Sequence, residues 1–172
     1  LAAIATVGDV MDLQGENRIL VKEGLRRLKE TKNPGLQELI RANALEDAKI
    51  TAYHIGFVLG PCINASGRLD TAARSLQLLN AQTIEEAAKL AGDLTALNQS
   101  RKALTEKGKE EAIRLIETTD LKNDRVLVVY LPDCHESLAG IIAGRLREKY
   151  HKPAFVLTRG ETSAKGSGRS IE

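Results

Sequence analysis

The chain has 172 residues, of which 42% are hydrophobic and 28% charged, and its formal net charge is +2 at pH 7. These values are typical of a globular protein with one domain, or one domain and part of a second. No run approaches the roughly 18 to 20 uncharged apolar residues of a membrane span, so the sequence predicts no membrane association.

The first residues, LAAIATVGDVMD, contain neither a basic leader nor an initiator Met. We therefore expect no signal peptide and interpret the chain as an internal segment of a longer protein. Cys62 and Cys134 are the only cysteines, too few for a disulfide framework. This usage predicts a reducing, cytoplasmic location.

The basic residues are concentrated towards the C-terminus. Residues 145–172 carry seven Lys/Arg and three Asp/Glu, a net charge of +4, whereas the preceding residues sum to −2. A basic end beside a balanced remainder indicates an anionic partner such as nucleic acid, although mild charge bias also occurs without one. Five aromatic residues are too few for base stacking to be the main contact.

The first third of the chain predicts one strand and two helices. Residues 2–11 read as the end of a buried strand that runs into a loop at Asp9. Residues 16–30 and 36–45 have the apolar spacing of helices and are separated by the breaker Asn33-Pro34-Gly35. The pattern of residues 50–59 does not decide between a helix and a strand.

Residues 60–68, GPCINASGR, predict a loop, with Asp70 as the N-cap of the next helix. Small residues let a backbone come close to a ligand. Asn64 offers a donor and an acceptor, and Arg68 a forked cation suited to phosphate. The alternative is a glycine-containing turn with a solvent-facing arginine.

From residue 84 to residue 117 no proline interrupts a helical pattern, and Thr83 with Glu86 forms a capping-box signature. A helix of some 35 residues spans about 50 Å. Because this segment is also polar, it is predicted to link two bodies.

After this helix the residue pattern changes and predicts a βαβ unit. Residues 125–131 and 153–158 predict parallel strands around a helix at 137–150, and residues 163–171 an edge strand or loop. The GxxxG motif that begins at Gly140 indicates close packing of this helix on the sheet.

Two strand ends carry candidate chemistry. Asp9 stands where strand-end carboxylates often hold a metal, although it could equally cap a helix or solvate a turn. His135 follows the strand at 125–131 and could donate to a phosphate or act as an acid or base, or simply cap the next helix. Cys134 has no evident paired base, and we interpret His54 and His151 as structural.

The segment KGSGRS combines two glycines, a hydroxyl and two cations within six residues. Lys165, Ser167 and Arg169 are therefore candidate phosphate contacts, and the alternative is a flexible basic loop. The segment does not match a Walker loop.

Four sequence segments, taken in their order along the chain, give these individually weak signals one common explanation. They are ATVGDVMDLQGENRILVKEGL, GPCINASGRL, CHESLAGIIAGRLREKYHKPAFVL and KGSGRSI. Together they closely resemble the DHH phosphoesterase superfamily and, within it, the bacterial single-strand-DNA-specific 5′→3′ exonucleases. The resemblance covers essentially the whole chain.

The resemblance implies an α/β architecture in three parts. Residues 1–80 would be the C-terminal part of a DHH catalytic domain, residues 81–118 a long linker helix, and residues 119–172 a smaller, incomplete DHH-associated domain. In the family the active site lies in the cleft between the two domains.

The implied function is hydrolysis of phosphodiester bonds in single-stranded DNA, in DNA repair and recombination. Mn²⁺ or Mg²⁺ ions would activate a water and stabilise the charge on the scissile phosphate. The full-length protein is expected to be an exodeoxyribonuclease, and this chain alone to be inactive. Its partners would be single-stranded DNA and repair or recombination proteins, with the oligomeric state left open.

The resemblance also assigns residues. Asp9 corresponds to a metal ligand, and Asn64 and His135 to catalytic groups near the reacting phosphate. The substrate-binding group comprises Arg68, Lys165, Ser167 and Arg169.

Three departures qualify the assignment. Cys62 stands where family members usually carry arginine, so one cationic contact is missing or supplied elsewhere. The aspartates and paired histidines that complete the metal site are absent, as is the Gly-Gly-His segment that ends the associated domain.

Two alternatives remain on sequence grounds. One is a DHH phosphodiesterase for short oligonucleotides or cyclic dinucleotides, against which the long helix argues. The other is a non-catalytic nucleic-acid-binding module, which would not need Asp9 as a metal ligand.

Overall fold

The computed structural model describes residues 1–171. The chain folds into two compact units, Leu1–Gln99 and the residues from Ser100 onward. The first unit is helical, and the second contains a small mixed sheet, so the α/β class is confirmed. Among the described residues, no helix combines the length and apolar character needed to cross a membrane.

The first unit is built entirely from helices. They are α1 (Ala2–Gly8), α2 (Gly15–Leu28), α3 (Pro34–Ala42), α4 (Ala52–His54), a π-helix (Ile55–Leu59), α5 (Gly60–Leu69), α6 (Ala73–Asn80) and the first part of α7 (Ile84–Thr118). α2 and α3 confirm the predicted helices at residues 16–30 and 36–45. The core is an aliphatic cluster that includes Leu39, Ile55, Leu59, Leu78 and Leu94.

The strand predicted at residues 2–11 is wrong, because Ala2–Gly8 is helical. Ala3 is buried, and Ile4 and Val7 pack against the aliphatic core, which is the spacing of one helix face. A Cβ at Gly24 of α2 would lie only 2.2 Å from Cβ of Ala3. The close approach of α1 and α2 therefore supports the helix, and an alanine-rich segment forms it readily.

The loop predicted at residues 60–68 is also wrong, because Gly60–Leu69 forms α5. Cys62, Ala65 and Ser66 are buried at helical spacing, so packing overrides the small-residue composition. The preceding π-helix helps to explain how Pro61 is tolerated. The backbone N–H of Gly60 donates to the oxygen of Ile55, five residues back, which widens the helix where the proline ring needs room.

Asp70 does not cap the following helix as predicted. It is the C-cap of α5, and its carboxylate pairs with Arg74 of α6. α6 begins at Ala73, after a short turn.

The long helix predicted from residue 84 is confirmed as α7, of 35 residues. At its start Thr83 Oγ1 accepts the backbone N–H of Glu86 at 3.2 Å. Leu94 belongs to the core of the first unit, and Ala112 and Ile116 to the core of the second. One continuous helix thus contributes to both cores.

The second unit contains the predicted βαβ arrangement. β1 (Leu127–Tyr130) pairs in parallel with β2 (Ala154–Arg159), and α8 (Glu136–Tyr150) connects them. β3 (Ala164–Arg169) pairs antiparallel with β2 and forms an edge. A 3₁₀ turn at Asp120–Asn123 joins α7 to this sheet. The core lies between α8, the sheet and the end of α7.

Candidate functional site

Asp9 and Asn64 are two predicted site residues that lie far apart in the sequence. In the first unit they line the same cavity of about 790 Å³. Asp9 follows the last residue of α1, and Asn64 lies on α5. Thr6 and Asn17 add polar atoms to the lining. The cavity therefore brings a carboxylate, two amides and a hydroxyl to one surface.

Asp9 occupies a position that its own helix does not favour. It is the C-cap of α1, where its backbone N–H donates to the oxygen of Ala5 at 2.9 Å. Val10 follows with φ +55°, a left-handed conformation that turns the chain. The C-terminus of a helix carries partial negative charge, so a carboxylate there is unfavourable unless a cation is near. Stability of α1 therefore does not explain Asp9.

The described residues do not by themselves hold a metal ion. Within residues 1–171, no three His, Cys, Asp or Glu side chains lie together in a way that could coordinate one. Mg²⁺ requires close to six ligands in octahedral geometry. Asp9 can supply one of them, and the remaining ligands would have to come from elsewhere.

Asn64 and Arg68 share one side of α5, because they are four residues apart on a helix. Both are exposed. The sequence placed them before a helix N-terminus, which would itself bind an anion, but Arg68 lies in the last turn of α5. Any anion here is therefore contacted by the side chains and not by a helix N-terminus.

Cys62 faces the interior of the first unit. Its side chain is fully buried, with Sγ 3.6 Å from Oδ1 of Asn43 and 3.3 Å from Nδ2 of Asn98. These contacts connect α5 to the end of α3 and to α7. Cys62 thus belongs to a largely buried polar cluster, on the side of α5 away from exposed Asn64.

In the second unit His135 is the N-cap of α8 and follows β1 after a short turn. The sequence predicted this place after a strand and left helix capping as the alternative to a chemical role. Its Nδ1 accepts the backbone N–H of Ser137 at 3.3 Å, and Oγ of Ser137 lies 2.8 Å from the same nitrogen. The hydroxyl of Thr158 donates to the carbonyl oxygen of Cys134, which fixes the turn before His135. Two contacts with Ser137 and the fixed turn before it therefore hold His135, whose side chain remains exposed.

The surroundings of Cys134 disfavour the thiolate form that a nucleophilic cysteine needs. It lines a cavity of about 210 Å³ together with His135 and Glu111. Partial burial raises the pKa of the Cys134 thiol, and the negative charge of Glu111 raises it further. A thiol with a raised pKa is less often the reactive thiolate.

β3 separates its residues onto two faces. Gly166 and Gly168 pair with Leu157 and Phe155 of β2, and a Cβ on either glycine would lie 2.6 Å from the paired side chain. The glycines thus allow Leu157 and Phe155 to lie across the strand, so their presence has a packing reason. The opposite face, towards α8, carries the alternate residues Lys165, Ser167 and Arg169.

The two cations of this face differ in availability. Nζ of Lys165 lies 2.8 Å from Oε2 of Glu136, and the hydrogen bond and charge of Lys165 hold the pKa of that carboxyl below its usual range. Arg169 instead donates through Nη1 to Oγ of Ser167 at 2.9 Å and to the oxygen of Gly168 at 2.7 Å. Among residues 1–171 Arg169 forms no ion pair. Arg169 is therefore the better placed of the two to receive an anion.

The structure brings together two sets of predicted residues, each within one unit. Asp9 and Asn64 share a cavity, and Ser167 and Arg169 are in contact. Sequence reasoning missed Asn17, Glu136 and Ser137. Ser137 and Glu136 lie in the block around His135, but only the folded turn reveals their contacts.

Comparisons with known proteins give a consistent result. No family model matches the chain. It is 39% identical over 176 residues to the single-stranded-DNA-specific exonuclease RecJ of Dickeya dadantii and 38% identical over 177 residues to that of Escherichia coli, which covers 99% and 100% of the chain. The chain spans 31% of the length of each of these relatives.

Solved structures agree. The crystal structure of RecJ from Thermus thermophilus in complex with Mg²⁺ matches 98% of the chain with a TM-score of 0.85 and 34% identity, and the chain covers 26% of it. A structure of exonuclease RecJ bound to manganese matches 99% of the chain with a TM-score of 0.84 and 34% identity, and the chain covers 41% of it.

Proposed function

Because the chain belongs to the RecJ family, we propose that it is part of a single-strand-DNA-specific 5′→3′ exonuclease that hydrolyses phosphodiester bonds with Mn²⁺ or Mg²⁺. The observation that carries this proposal is a similarity extending over 98% to 100% of the chain, in sequence and in structure. Two of the structural neighbours are named as complexes with Mg²⁺ and manganese.

The proposed metal ligand in this chain is Asp9. A cation near this carboxylate would relieve its unfavourable position at the end of α1. The ions, when bound, would supply an activated water and stabilise charge on the scissile phosphate. Since the described residues offer no complete site, the other ligands would lie in the rest of the full-length protein, and the chain alone would be inactive.

Asn64 and His135 are the proposed catalytic groups. Asn64 lines the same cavity as Asp9 and can donate to a phosphate oxygen through its amide. His135 presents Nε2 away from the contacts that hold Nδ1, and in the neutral ring that nitrogen carries the proton. Each is therefore able to act as a hydrogen-bond donor to a phosphate oxygen.

The remaining assigned side chains are proposed to bind the DNA backbone. Arg68 supplies a cation on the same side of α5 as Asn64, and Ser167 and Arg169 supply a hydroxyl and a guanidinium that already touch. We assign Ser167 and Arg169 to the terminal 5′ phosphate. Lys165, paired with Glu136, would contribute less.

Broader properties follow from the same proposal. Residues 1–80 would belong to the catalytic domain, residues 81–118 to a linker helix and residues 119–172 to the DHH-associated domain. The full-length protein would work in the cytoplasm, with repair or recombination proteins. The comparisons do not favour a phosphodiesterase for short oligonucleotides or cyclic dinucleotides, or a non-catalytic module.

The experiment is a substrate comparison with the full-length protein and Mn²⁺. Single-stranded and duplex DNA labelled at the 3′ end would be compared with dinucleotides and cyclic dinucleotides, with Asp9→Ala as the control for contaminating nuclease. Progressive shortening of the long single strand from its 5′ end supports the proposal. Preference for dinucleotides indicates the short-oligonucleotide enzyme, and binding without cleavage indicates a binding module.

A further inference from the structure

We propose that Gly140 of α8 is a positioning residue. Because it has no side chain, Ser167 and Arg169 can lie against α8 in the arrangement that binds a phosphate. The inference rests on the proposed function, which assigns Ser167 and Arg169 to substrate phosphate. It goes further because it places a specific requirement on a residue that never touches the substrate.

The geometry at Gly140 is tight. A Cβ at this position would lie 2.9 Å from Nη2 of Arg169, 3.0 Å from Oγ of Ser167 and 3.4 Å from Cβ of Ser167. The shortest of these distances is closer than a Cβ atom normally comes to a non-bonded heavy atom in a folded protein. A methyl group at residue 140 would therefore displace the guanidinium and press on the hydroxyl.

The atoms that would move are the functional ones. Nη2 is the far end of a long, exposed side chain, so it can swing away at little energetic expense to the fold. Its partner nitrogen, Nη1, donates to Oγ of Ser167, so displacing the guanidinium also breaks the contact that aligns the two groups. Gly140→Ala should thus damage the arrangement of Ser167 and Arg169 while leaving the core intact.

The second glycine of the GxxxG motif behaves differently. A Cβ at Gly144 would have no neighbour within 4 Å apart from the adjacent residues and backbone of its own helix. The close packing that the sequence predicted for this motif is confirmed at Gly140 and wrong at Gly144. Glycine inside a helix is less favourable than alanine by about 1 kcal/mol, and only at Gly140 does the described structure supply a compensating reason.

Gly144→Ala is therefore a matched control, with the same substitution on the same helix one turn away. The test uses the full-length protein and four variants, namely Gly140→Ala, Gly144→Ala, Arg169→Ala and the double variant of Gly140 and Arg169. Affinity for 5′-phosphorylated and 5′-hydroxyl single strands is measured without divalent metal, so that no cleavage occurs. Thermal unfolding is measured alongside.

We expect Gly140→Ala to weaken binding of the 5′-phosphorylated strand by about tenfold, with the 5′-hydroxyl strand nearly unchanged. Gly144→Ala should bind both strands as wild type does, and both alanine variants should unfold at or above the wild-type temperature. In the Arg169→Ala background, Gly140→Ala should lose most of its effect, because the guanidinium that the methyl group displaces is already absent.

Three results would overturn the positioning role: equal weakening of both strands, additive effects in the double variant, or a lowered unfolding temperature specific to Gly140→Ala, which would make it a packing residue. If Arg169→Ala changes binding of neither strand, the assigned role of Arg169 fails, and that of Gly140 fails with it. If Arg169→Ala weakens the phosphorylated strand and Gly140→Ala does not, only the positioning role fails.

Discussion

The backbone N–H of Ser137 points at Nδ1 of His135, 3.3 Å away. A backbone N–H can only donate, so Nδ1 must accept and cannot carry a proton in this arrangement. The neutral imidazole of His135 is therefore the Nε2–H tautomer, with its donor directed away from the helix cap. The same contact that caps α8 thus also prepares the ring to donate a hydrogen bond.

Capping and substrate contact at His135 can be separated by His135→Asn. Asparagine is a good N-cap, so α8 should keep its stability, but its side chain is too short to replace Nε2. In the full-length protein we expect thermal unfolding close to wild type and a loss of roughly ten- to a hundredfold in kcat/KM on single-stranded DNA. Unchanged kcat/KM would mean that His135 only caps the helix. Ring ¹⁵N shifts of the wild-type protein check the tautomer independently.

Asp9→Asn should separate activity from stability in the opposite direction. Removing the negative charge at the end of α1 should leave the free energy of unfolding unchanged or raise it by about 0.3 to 1 kcal/mol. In the full-length protein, hydrolysis at saturating Mn²⁺ should be abolished, while binding of single-stranded DNA is largely kept. Asp12→Asn, at a nearby exposed carboxylate, is the control. Wild-type turnover of Asp9→Asn would remove Asp9 from the metal site.

Arg169→Ala should weaken 5′-phosphorylated single strands by about one to two decades, because a charge-assisted hydrogen bond contributes roughly 1.5 to 3 kcal/mol. The 5′-hydroxyl strand should be affected much less. The slope of log affinity against log salt should fall by about 0.7 to 1. Lysine should rescue only in part, since it lacks the forked geometry.

Lys165→Ala provides the comparison for Arg169. Because Lys165 pairs with Glu136, its loss should weaken binding less than the loss of Arg169 does. If Arg169→Ala weakened both strand types equally, Arg169 would be a general backbone contact and the assignment to the 5′ end would be wrong.

Gly35→Ala should destabilise the first unit strongly. A Cβ at Gly35 would lie 1.9 Å from the carbonyl oxygen of Leu78, so α3 and α6 would have to move apart. We expect a loss of about 2 to 3 kcal/mol in the free energy of unfolding. Gly92→Ala, in open space on α7, should instead gain up to about 1 kcal/mol. Denaturant titrations of both variants compare the two, and equal stability would contradict the close packing of α3 on α6.

Tyr150 should give the second unit a stability component that is lost at high pH. Burial raises the pKa of Tyr150 to about 12, and its hydrogen bond to Glu117, at 2.8 Å, acts in the same direction. A raised pKa means that the folded state favours the neutral phenol. The contribution is therefore fully present below pH of about 10, the unfolded value, and is lost as pH rises towards about 12.

Tyr150→Phe removes this component. The variant should show a smaller fall in unfolding temperature than wild type between those two pH values, and its tyrosinate absorbance should lack the latest-titrating step. An identical pH dependence in both proteins would contradict the hydrogen bond to Glu117.

The elements that were predicted correctly have a sequence pattern that extends over many consecutive residues. α7 has a capping signature and an uninterrupted pattern, and the βαβ unit has two apolar strands around one amphipathic helix. Prediction from sequence failed at α1 and α5, where alanine and glycine compositions do not distinguish helix from strand or loop. There the decision rests on tertiary contacts, Ala3 against Gly24 and Cys62 against Asn98, which no local pattern records.

The candidate site shows the same division. The position of His135 after a strand followed from the pattern alone. Residue chemistry made Asp9, Arg68 and Arg169 candidates, and the resemblance to a known family gave each of them a specific proposed role. The contacts that hold these groups, Ser137 on His135 and Gly140 beneath Arg169, depend on the packing of α8 and β3. The GxxxG motif predicted that Gly140 packs closely on the sheet, but the side chains that it meets could not be identified from the sequence.

The two-faced alternation of β3 limits how the preceding hairpin can change in length. The turn at residues 160–163 is closed by the N–H of Gly160 donating to the oxygen of Ser163 at 2.8 Å. One residue added or removed here, if it shifted the strand register, would bring glycines under α8 and turn Ser167 and Arg169 to the other face. Single-residue insertions are therefore compatible with the site only if they bulge out of the turn and leave the strand register unchanged.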